Sequence, residues 1–300
     1  MDWTSTAILS AAALGAVNII DSHLLTKRMP SFRAFMLLVG VIHTFYALVI
    51  FYIFPLPDNI SVLPLLVAIA SGIFRTVAVS IMLYSLQKTE VSQVIPVIHS
   101  YPIFVAMLAV PALGESLYAL QWLAIVIVVF GAVVVSAGPT STSTTKWHGR
   151  TLLLLLIASL CFALGDITTK YALTYISFWN GFSLTALCMS GTFLVASLRP
   201  RFLREIWDMP RRNSSLALLT FNETLAPVGI TLSFWAIQRG PVSLVSTVIG
   251  SRPIFVVLYS LIFSRVFPDF LVRFASRKML WLRLAATLMI FGGIAIIYLT

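Results

Sequence analysis

Apolar residues along this chain gather into long runs that are separated by short polar connections. Each run holds roughly twenty residues, the length that an α-helix needs to cross a hydrocarbon core about 30 Å thick. The ten runs are Thr4–Leu25, Phe32–Phe54, Val62–Leu86, Ser92–Ala112, Tyr118–Ala137, Thr151–Ala172, Phe178–Leu198, Ser214–Ile237, Val242–Phe263 and Leu280–Leu299. The short alternating pattern of a membrane β-barrel is absent, and helices satisfy their own backbone hydrogen bonds in lipid. The pattern predicts an all-α integral membrane protein with ten transmembrane helices.

Composition supports a membrane protein and narrows its chemistry. Hydrophobic residues make up 59% of the 300 positions and charged residues only 10%, which is too little polar surface for a soluble globule. Cys161 and Cys188 lie inside apolar runs, where a thiol normally packs as a small apolar group. No nucleotide-binding loop is present, so ATP is not expected to drive the protein directly, and neither a cofactor nor a metal is predicted.

An internal repeat organises the chain. Gln87–Val105 recurs 151 positions later as Gln238–Val256, with 11 identities in 19 aligned positions and no gap. Such a long period indicates a duplicated domain, so we predict a first five-helix repeat at 1–138, a linker at 139–150 and a second five-helix repeat at 151–300. Because each copy has an odd number of spans, the second copy must enter the membrane from the opposite side. The two repeats are therefore expected to be inverted.

Positive charge is concentrated on one side of the predicted membrane. The loops that follow odd-numbered spans carry sixteen Lys and Arg residues, whereas the other loops carry only Lys170 and Arg239. By the positive-inside rule, the basic loops face the cytoplasm and both termini lie outside the cell membrane. The net charge of +10 then requires no nucleic-acid partner, because it belongs mostly to this face, which also meets the lipid bilayer.

Several motifs together resemble a known family. They are Leu86–Leu108, Gly114-Glu115, Gln121-Trp122 and Phe130-Gly131-Ala132 in the first half, and Ile237–Leu258 and Phe291-Gly292-Gly293 in the second. The whole chain is similar to the EamA-type ten-helix transporters of the drug/metabolite transporter superfamily. This resemblance implies two inverted five-helix repeats and a central cavity lined by spans one, three, four, six, eight and nine. It also implies cytoplasmic termini, opposite to the charge count. The motifs carry no substrate code.

Four ionisable residues lie at membrane depth, where a charge is costly and marks either an ion pair or a transport pathway. They are Arg75, Asp166, Glu223 and Arg252, all on spans that the resemblance assigns to the cavity. One interpretation is structural, with salt bridges between Arg75 and Glu223 and between Arg252 and Asp166. The other is functional: the arginines bind an anionic or zwitterionic substrate group and a carboxylate exchanges protons.

Other polar residues extend the candidate site. Asn18, His99, Tyr101 and Asn222 are further candidates for substrate binding or coupling, with hydrogen-bonded packing as the alternative for His99. Asp21 is a weaker candidate than Asn18, and His23 and His43 are expected only to pack or to lie at the interface. Lys170 is four residues after Asp166, a spacing that favours a local ion pair on one helix face.

Prolines interrupt the two repeated spans. Pro96, Pro102 and Pro253 fall within spans four and nine, and Pro102 matches Pro253 in the repeat. A proline removes a helical hydrogen bond and bends the helix. Interrupted helices at matching positions of two repeats are typical of the substrate site in secondary transporters, although kinks also serve packing alone.

The sequence therefore predicts a secondary-active transporter of a small organic metabolite or drug. Alternating access with proton coupling or exchange is the expected mechanism, and the expected partners are a small-molecule substrate, protons and the bilayer. The alternatives are a non-transporting membrane receptor or scaffold and, less favoured, a polytopic enzyme. An enzyme would need a clustered His/Asp or Asp/Asp constellation at the membrane face, and the four histidines are scattered. No catalytic residue is assigned.

Overall fold

Helices account for all regular structure in the part of the chain that the computed structural model describes, namely residues 2–58, 60–88, 91–136, 149–263 and 277–300. They are α1 Trp3–His23, α2 Phe32–Ile53, α3 Val62–Lys88, α4 Val91–Ile98, α5 Tyr101–Leu113, α6 Ala119–Ser136, α7 Gly149–Ala172, α8 Phe178–Ser197, α9 Pro200–Trp207, α10 Arg212–Arg239, α11 Val242–Gly250, α12 Arg252–Phe263 and α13 Arg277–Leu299. A π-helical turn, Leu24–Arg28, extends α1. The all-α prediction is confirmed. The predicted linker lies outside the described residues except Gly149 and Arg150, which begin α7.

Seven described segments are long and apolar enough to cross a membrane. They are Trp3–Arg28, Phe32–Ile53, Val62–Leu86, Gly149–Ala172, Phe178–Ser197, Arg212–Arg239 and Val242–Tyr259. Shorter apolar helices occur at Tyr101–Leu113, Ala119–Val135 and Leu284–Leu299. Large apolar side chains such as Tyr52, Val195 and Leu299 are more than 80% exposed, as expected of a surface that faces lipid. The chain is therefore a multi-pass membrane protein.

Several helices begin at side chains that cap free backbone N–H groups. Asp2 accepts a hydrogen bond from the Ser5 N–H, and these Ser5 contacts hold the pKa of Asp2 below its usual value. Ser31 caps α2 and Ser177 caps α8 in the same way. At the other end of α5, Gly114 has a φ of 68°, a left-handed conformation that glycine adopts without strain. Local sequence thus sets these boundaries.

Both copies of the repeated stretch fold as a broken helix. The first copy forms α4 and α5, which are separated at His99 and Ser100, and the second forms α11 and α12, which are separated at Ser251. Each second segment carries proline as its second residue, a position where the missing N–H breaks no helical hydrogen bond. The breaks lie at Pro102 and Pro253, whereas α4 continues through Pro96.

Packing joins helices from the two halves of the chain. The extensive contacts pair α1 with α10, α3 with α7, α2 with α8 and α6 with α13. Glycine permits close approach in the last pair: a Cβ at Gly131 would lie 2.7 Å from Ile290, and one at Gly293 would lie 2.6 Å from Val128. Small residues have the same role at many membrane helix contacts. The halves therefore form one interlocked bundle.

The bundle has two chemically different ends. At the end we call the basic face, α9 packs Phe202 and Ile206 against the start of α2, and Glu205 accepts a hydrogen bond from Ser31. Sequence patterning had left α9 as part of a loop. At the other end, the opposite face, Asn180 donates to the Phe54 carbonyl and Trp3 packs against Gly240.

Candidate functional site

A cavity of about 170 Å³ lies between the two halves of the bundle. Its polar wall includes seven of the eight residues predicted from the sequence, namely Asn18, Arg75, His99, Tyr101, Asp166, Glu223 and Arg252. The eighth, Asn222, is fully buried and contacts the wall from behind through hydrogen bonds. The broken helices, α1, α3, α7 and α10 thus converge on one space, as the resemblance implied; whether these residues bind substrate stays a prediction.

One polar network in this cavity is centred on Asp166, and we call it the paired network. Arg75 Nη2 lies 2.6 Å from one carboxylate oxygen of Asp166, and Ser246 donates its hydroxyl proton to the other. Thr169 accepts a weaker bond from the same Nη2 at 3.4 Å, and Phe234 presents its ring 4.7 Å from the guanidinium carbon. Three helices, α3, α7 and α11, are joined by this one carboxylate.

The ion pairs differ from those of the structural interpretation. Arg75 pairs with Asp166, not with Glu223, and Arg252 has no carboxylate within ion-pair distance among the described residues. The predicted Asp166–Lys170 pair is also wrong. Both errors have the same reason. Packing rotates each helix and decides which neighbouring helix its polar groups face, and the spacing of residues along the sequence does not reveal that rotation.

A second group of polar residues, the acidic cluster, consists of Asp21, Asn222, Glu223 and His43. The Nδ2 of Asn222 donates to Asp21 Oδ1 at 2.7 Å and to Glu223 Oε1 at 3.1 Å. His43 Nε2 lies 2.9 Å from the other oxygen of Glu223. Glu223, His43 and Asn222 are each at most 3% exposed. A buried carboxylate, Glu223, and a partly buried one, Asp21, therefore share one amide.

The sequence analysis ranked Asp21 below Asn18 and did not predict His43 as a cavity residue. His43 lies in the middle of α2, a helix that the resemblance does not assign to the cavity, and both residues line the cavity wall. One signal in the sequence could have identified them: burying an ionisable side chain in an apolar span costs free energy, so each of these residues needs a polar partner. Identifying that partner required knowing that α1, α2 and α10 meet.

Where the two copies of the repeated stretch meet, the cavity wall has polar groups without partners. His99 hydrogen-bonds the backbone of Gly250, the residue at the equivalent position of the other copy. A Cβ at Gly250 would lie 2.8 Å from Pro102, so the second copy has room only for glycine there. Among the described residues, neither His99 Nδ1 nor Arg252 Nε has a hydrogen-bond partner.

Tyr101 joins the two halves beside these groups. Its hydroxyl donates to the Ser246 carbonyl at 3.2 Å, and its ring packs against Phe162 with centroids 5.8 Å apart. Ser246 in turn holds Asp166. Tyr101 and the paired network therefore fix α11 against the first half.

Polar contacts close the bundle at the opposite face. Glu115 accepts hydrogen bonds from the backbone N–H groups of Val242 and Ser243, so it caps the start of α11. Lys170 donates to the carbonyls of Ile237, Gln238 and Gly240 at 2.8 to 3.2 Å, so it caps the end of α10. A helix carries partial positive charge at its start and partial negative charge at its end, so the carboxylate of Glu115 and the ammonium of Lys170 are both placed favourably.

Toward the basic face the cavity wall is apolar. Phe35 lies one turn from the start of α2, and Leu83 and Phe193 lie near the ends of α3 and α8. These side chains belong to a buried cluster with Leu24 and Leu219. The cavity thus extends from the middle of the bundle toward the basic face, where dispersion contacts rather than hydrogen bonds join the helices.

Comparison with known proteins identifies the relatives of this chain. Residues 2–137 match the EamA-like transporter family, whose members are transporters. A solved crystal structure of a protein superposes on 99% of this chain and 95% of its own, with 16% sequence identity and a TM-score of 0.69, and therefore shares the fold. No curated protein matches the chain. Among the described residues no group of three or more His, Cys, Asp or Glu side chains could hold a metal ion.

Proposed function

We propose that this chain belongs to the drug/metabolite transporter superfamily and is a secondary-active transporter of a small organic compound, because residues 2–137 match the EamA-like transporter family. The mechanism is alternating access, with a proton gradient or substrate exchange as the driving force. The observation that carries this proposal is the cavity between the two halves, whose wall combines five formally charged side chains with apolar surface. A non-transporting scaffold would not need a charged cavity at membrane depth, where each charge is costly.

The substrate carries an anionic group, either alone or as part of a zwitterion. Arg75 already has a carboxylate partner, whereas the buried Nε of Arg252 has none among the described residues. A buried guanidinium is stable only when paired, and its planar donors suit a carboxylate or a similar oxyanion. Arg252, with His99 beside it, therefore supplies the anion-binding part of the site.

The cavity size favours a small metabolite over a large drug. Its volume of about 170 Å³ is close to the roughly 150 Å³ of an engineered cavity that accepts benzene. Apolar walls from Phe35, Phe162 and Phe182 fit a substrate with an apolar body. A compound of single-ring size with one acidic group satisfies both constraints.

The proposed architecture is ten spans in two inverted repeats, with boundaries at 1–138 and 151–300. Every predicted span coincides with a helix or, for spans four and nine, with a broken helix. Contacts recur with the halves exchanged: α3 packs on α7 as α10 packs on α1, and α5 packs on α7 as α12 packs on α1. The meeting of the equivalent positions His99 and Gly250 fits a two-fold axis between them.

We assign the protein to the cell membrane with the basic face in the cytoplasm and both termini outside. The cavity then faces the cytoplasm, because it extends toward the basic face while Glu115 and Lys170 close the other end. A reporter that is active only in the cytoplasm, fused after Thr300, tests this orientation. If that reporter is active, the C-terminus lies in the cytoplasm and the proposed orientation is wrong.

Flux through the purified protein tests the transport function. Reconstituted into liposomes, the protein is expected to take up members of a panel of radiolabelled single-ring and aliphatic carboxylates, with and without an imposed pH gradient. Arg252→Gln should abolish uptake of every compound that the wild type carries. Arg239→Gln is the matched control, because Arg239 is exposed at the opposite face, where it lies over Trp235.

Two results would contradict the proposal. Absence of uptake for all anions and zwitterions in wild-type liposomes would remove the transport function. Equal uptake by wild type and Arg252→Gln would remove Arg252 from the substrate site while leaving transport intact.

A further inference from the structure

We propose that Asp21, Glu223 and His43 form the proton-binding site of this transporter, and that a proton bound there enters the cell together with an anionic substrate bound at Arg252. The inference rests on the proposed transport function but names its coupling ion, the residues that bind it and the direction of coupling.

The geometry of the acidic cluster leaves its charges unmatched. Asn222 Nδ2 contacts one oxygen of each acid, at 2.7 and 3.1 Å, so the two oxygens lie within the roughly 6 Å over which like charges disfavour one another. The surroundings are buried, and an amide donor carries no formal charge to offset two carboxylates. Two carboxylates this close repel one another when both are ionised, and a proton bound by either one relieves that repulsion.

His43 provides a second proton acceptor in the cluster. Its Nε2 lies 2.9 Å from Glu223 Oε2, within ion-pair distance, and neither ring nitrogen makes a hydrogen bond among the described residues. Imidazole is the side chain that most readily changes charge near neutral pH. The imidazole therefore offers a second place for a proton directly beside Glu223.

Other charged or titratable groups surround the cluster. Those that share the cavity are Arg75, His99, Tyr101, Asp166 and Arg252, and those at the end of α1 and the following turn are His23, Lys27 and Arg28. Neither α8 nor α11, which also pack against α10, places a charged side chain on the cavity wall. Arg75 is already bound to Asp166, so it leaves the two acids of the cluster uncompensated.

Electrostatics then sets the sign of coupling. A doubly ionised cluster repels an anion that enters the same low-dielectric cavity, and protonation removes part of that repulsion. Proton and anion therefore bind cooperatively, and by linkage the substrate must increase proton affinity as much as the proton increases substrate affinity. Cooperative binding of both on the same side of the membrane is symport.

Infrared difference spectroscopy tests the proton site without any substrate. Purified wild-type protein is titrated with acid, and the carbonyl stretch of buried protonated carboxyl groups is followed. The band is expected to appear in the wild type and in Glu205→Gln, a control that removes an acid at the basic face. It should be lost in Glu223→Gln and reduced in Asp21→Asn. His43→Gln, which keeps both acids, should shift the midpoint of the titration. This variant tests the proton site if Glu223→Gln fails to fold.

Flux measurements on the same variants separate this inference from the transport function. With the carboxylates carried by the wild type, Glu223→Gln should retain exchange of substrate but lose its stimulation by an inwardly directed proton gradient. If uptake driven by the proton gradient persists in Glu223→Gln, the inference is wrong, but the proposed transport function is unaffected. If the infrared titration detects the proton site but the protein transports no compound, the transport function fails. Symport then fails with it, and only the proton-binding site remains.

One further outcome would also overturn the inference. If the acidic cluster binds the ammonium group of a zwitterionic substrate instead of a proton, Glu223→Gln will lose exchange along with uptake. The infrared band of the wild type will then be absent near neutral pH.

Discussion

The two polar networks of the cavity solve the problem of buried charge in opposite ways. In the paired network one guanidinium meets one carboxylate, and the hydroxyl of Ser246 satisfies the remaining oxygen of Asp166. In the acidic cluster Asp21 and Glu223 share the amide of Asn222 and the imidazole of His43 lies beside Glu223, with no arginine in ion-pair contact among the described residues. A balanced pair has no reason to exchange protons, whereas two acids in one site cannot both ionise freely. The first network is suited to holding helices and the second to carrying a proton.

The difference between the networks is imposed on a repeated scaffold. By the register of the repeat, Arg75 corresponds to Ala226, Glu223 to Gly72 and Arg252 to Tyr101. None of these charges therefore has a charged counterpart in the other half. The broken helices supply equivalent backbones, and the substitutions on them supply different chemistry to the two sides of one cavity.

Disrupting the paired network should cause the largest loss of stability. Asp166→Leu leaves Arg75 buried without a carboxylate, so the free energy of unfolding in detergent is expected to fall by about 3–5 kcal/mol. Adding Arg75→Met should restore most of that loss, because two apolar side chains pack without a charge to compensate. Denaturant unfolding followed by tryptophan fluorescence measures both. If the single variant matches the wild type, the pair has no structural role.

Closure of the opposite face should matter next. Lys170→Met removes three donors from the carbonyls at the end of α10, and we expect a loss of about 2 kcal/mol in the same assay. Arg201→Met is the control, because the Arg201 side chain is 82% exposed and its ion pair with Glu205 should contribute less than about 1 kcal/mol. Equal effects of the two substitutions would show that Lys170 does not stabilise the opposite face.

Within the acidic cluster a single neutralisation should have the opposite sign. Asp21→Asn removes one of two like charges and keeps an oxygen that accepts from Asn222, so stability should change by less than about 1 kcal/mol, toward greater stability at neutral pH. The comparison is with Asp166→Asn, which breaks the balanced pair and should destabilise the protein. Destabilisation of the two variants to the same extent would erase the distinction between the networks.

The smallest effect is expected at Glu205, outside the cavity. Its hydrogen bond from Ser31, with that from Arg201, lowers the pKa of Glu205 below its ordinary value of 4.5. The folded state therefore gains stability above that value and loses it as the pH falls through the lower folded pKa. Thermal unfolding of wild type and Glu205→Gln should differ slightly at neutral pH and converge in acid. Divergence in acid would contradict the assignment, and transport should be unaffected throughout.

The outline of the fold was predictable because each span carries its own signal. Length, apolarity and polar connections predicted the helix or broken helix of each of the ten runs to within a few residues, and proline indicated the break in both repeated spans. The short helix α9 was missed because its eight residues are too few for an apolar run and include three charged side chains. Ten spans, the inverted repeat and the orientation remain predictions.

The membrane-depth residues of the site were predictable for a related reason. A charge in an apolar run is conspicuous, so Arg75, Asp166, Glu223 and Arg252 could be selected without knowing the fold. Their partners could not, as the incorrect pairing of Arg75 with Glu223 demonstrates. Asp21 and His43 were undervalued because each is inconspicuous until its neighbour on α10 is known.

By itself the sequence determined that this is an all-helical membrane protein with its charges buried at a few positions, because the cost of polar groups in lipid acts on each residue separately. Only the tertiary structure decided which charges meet. Ion pairing and proton sharing depend on distances of a few ångströms between side chains that are up to two hundred residues apart in the chain. Those distances are set by how the helices rotate and pack, which is why one cavity contains a balanced pair beside an unbalanced one.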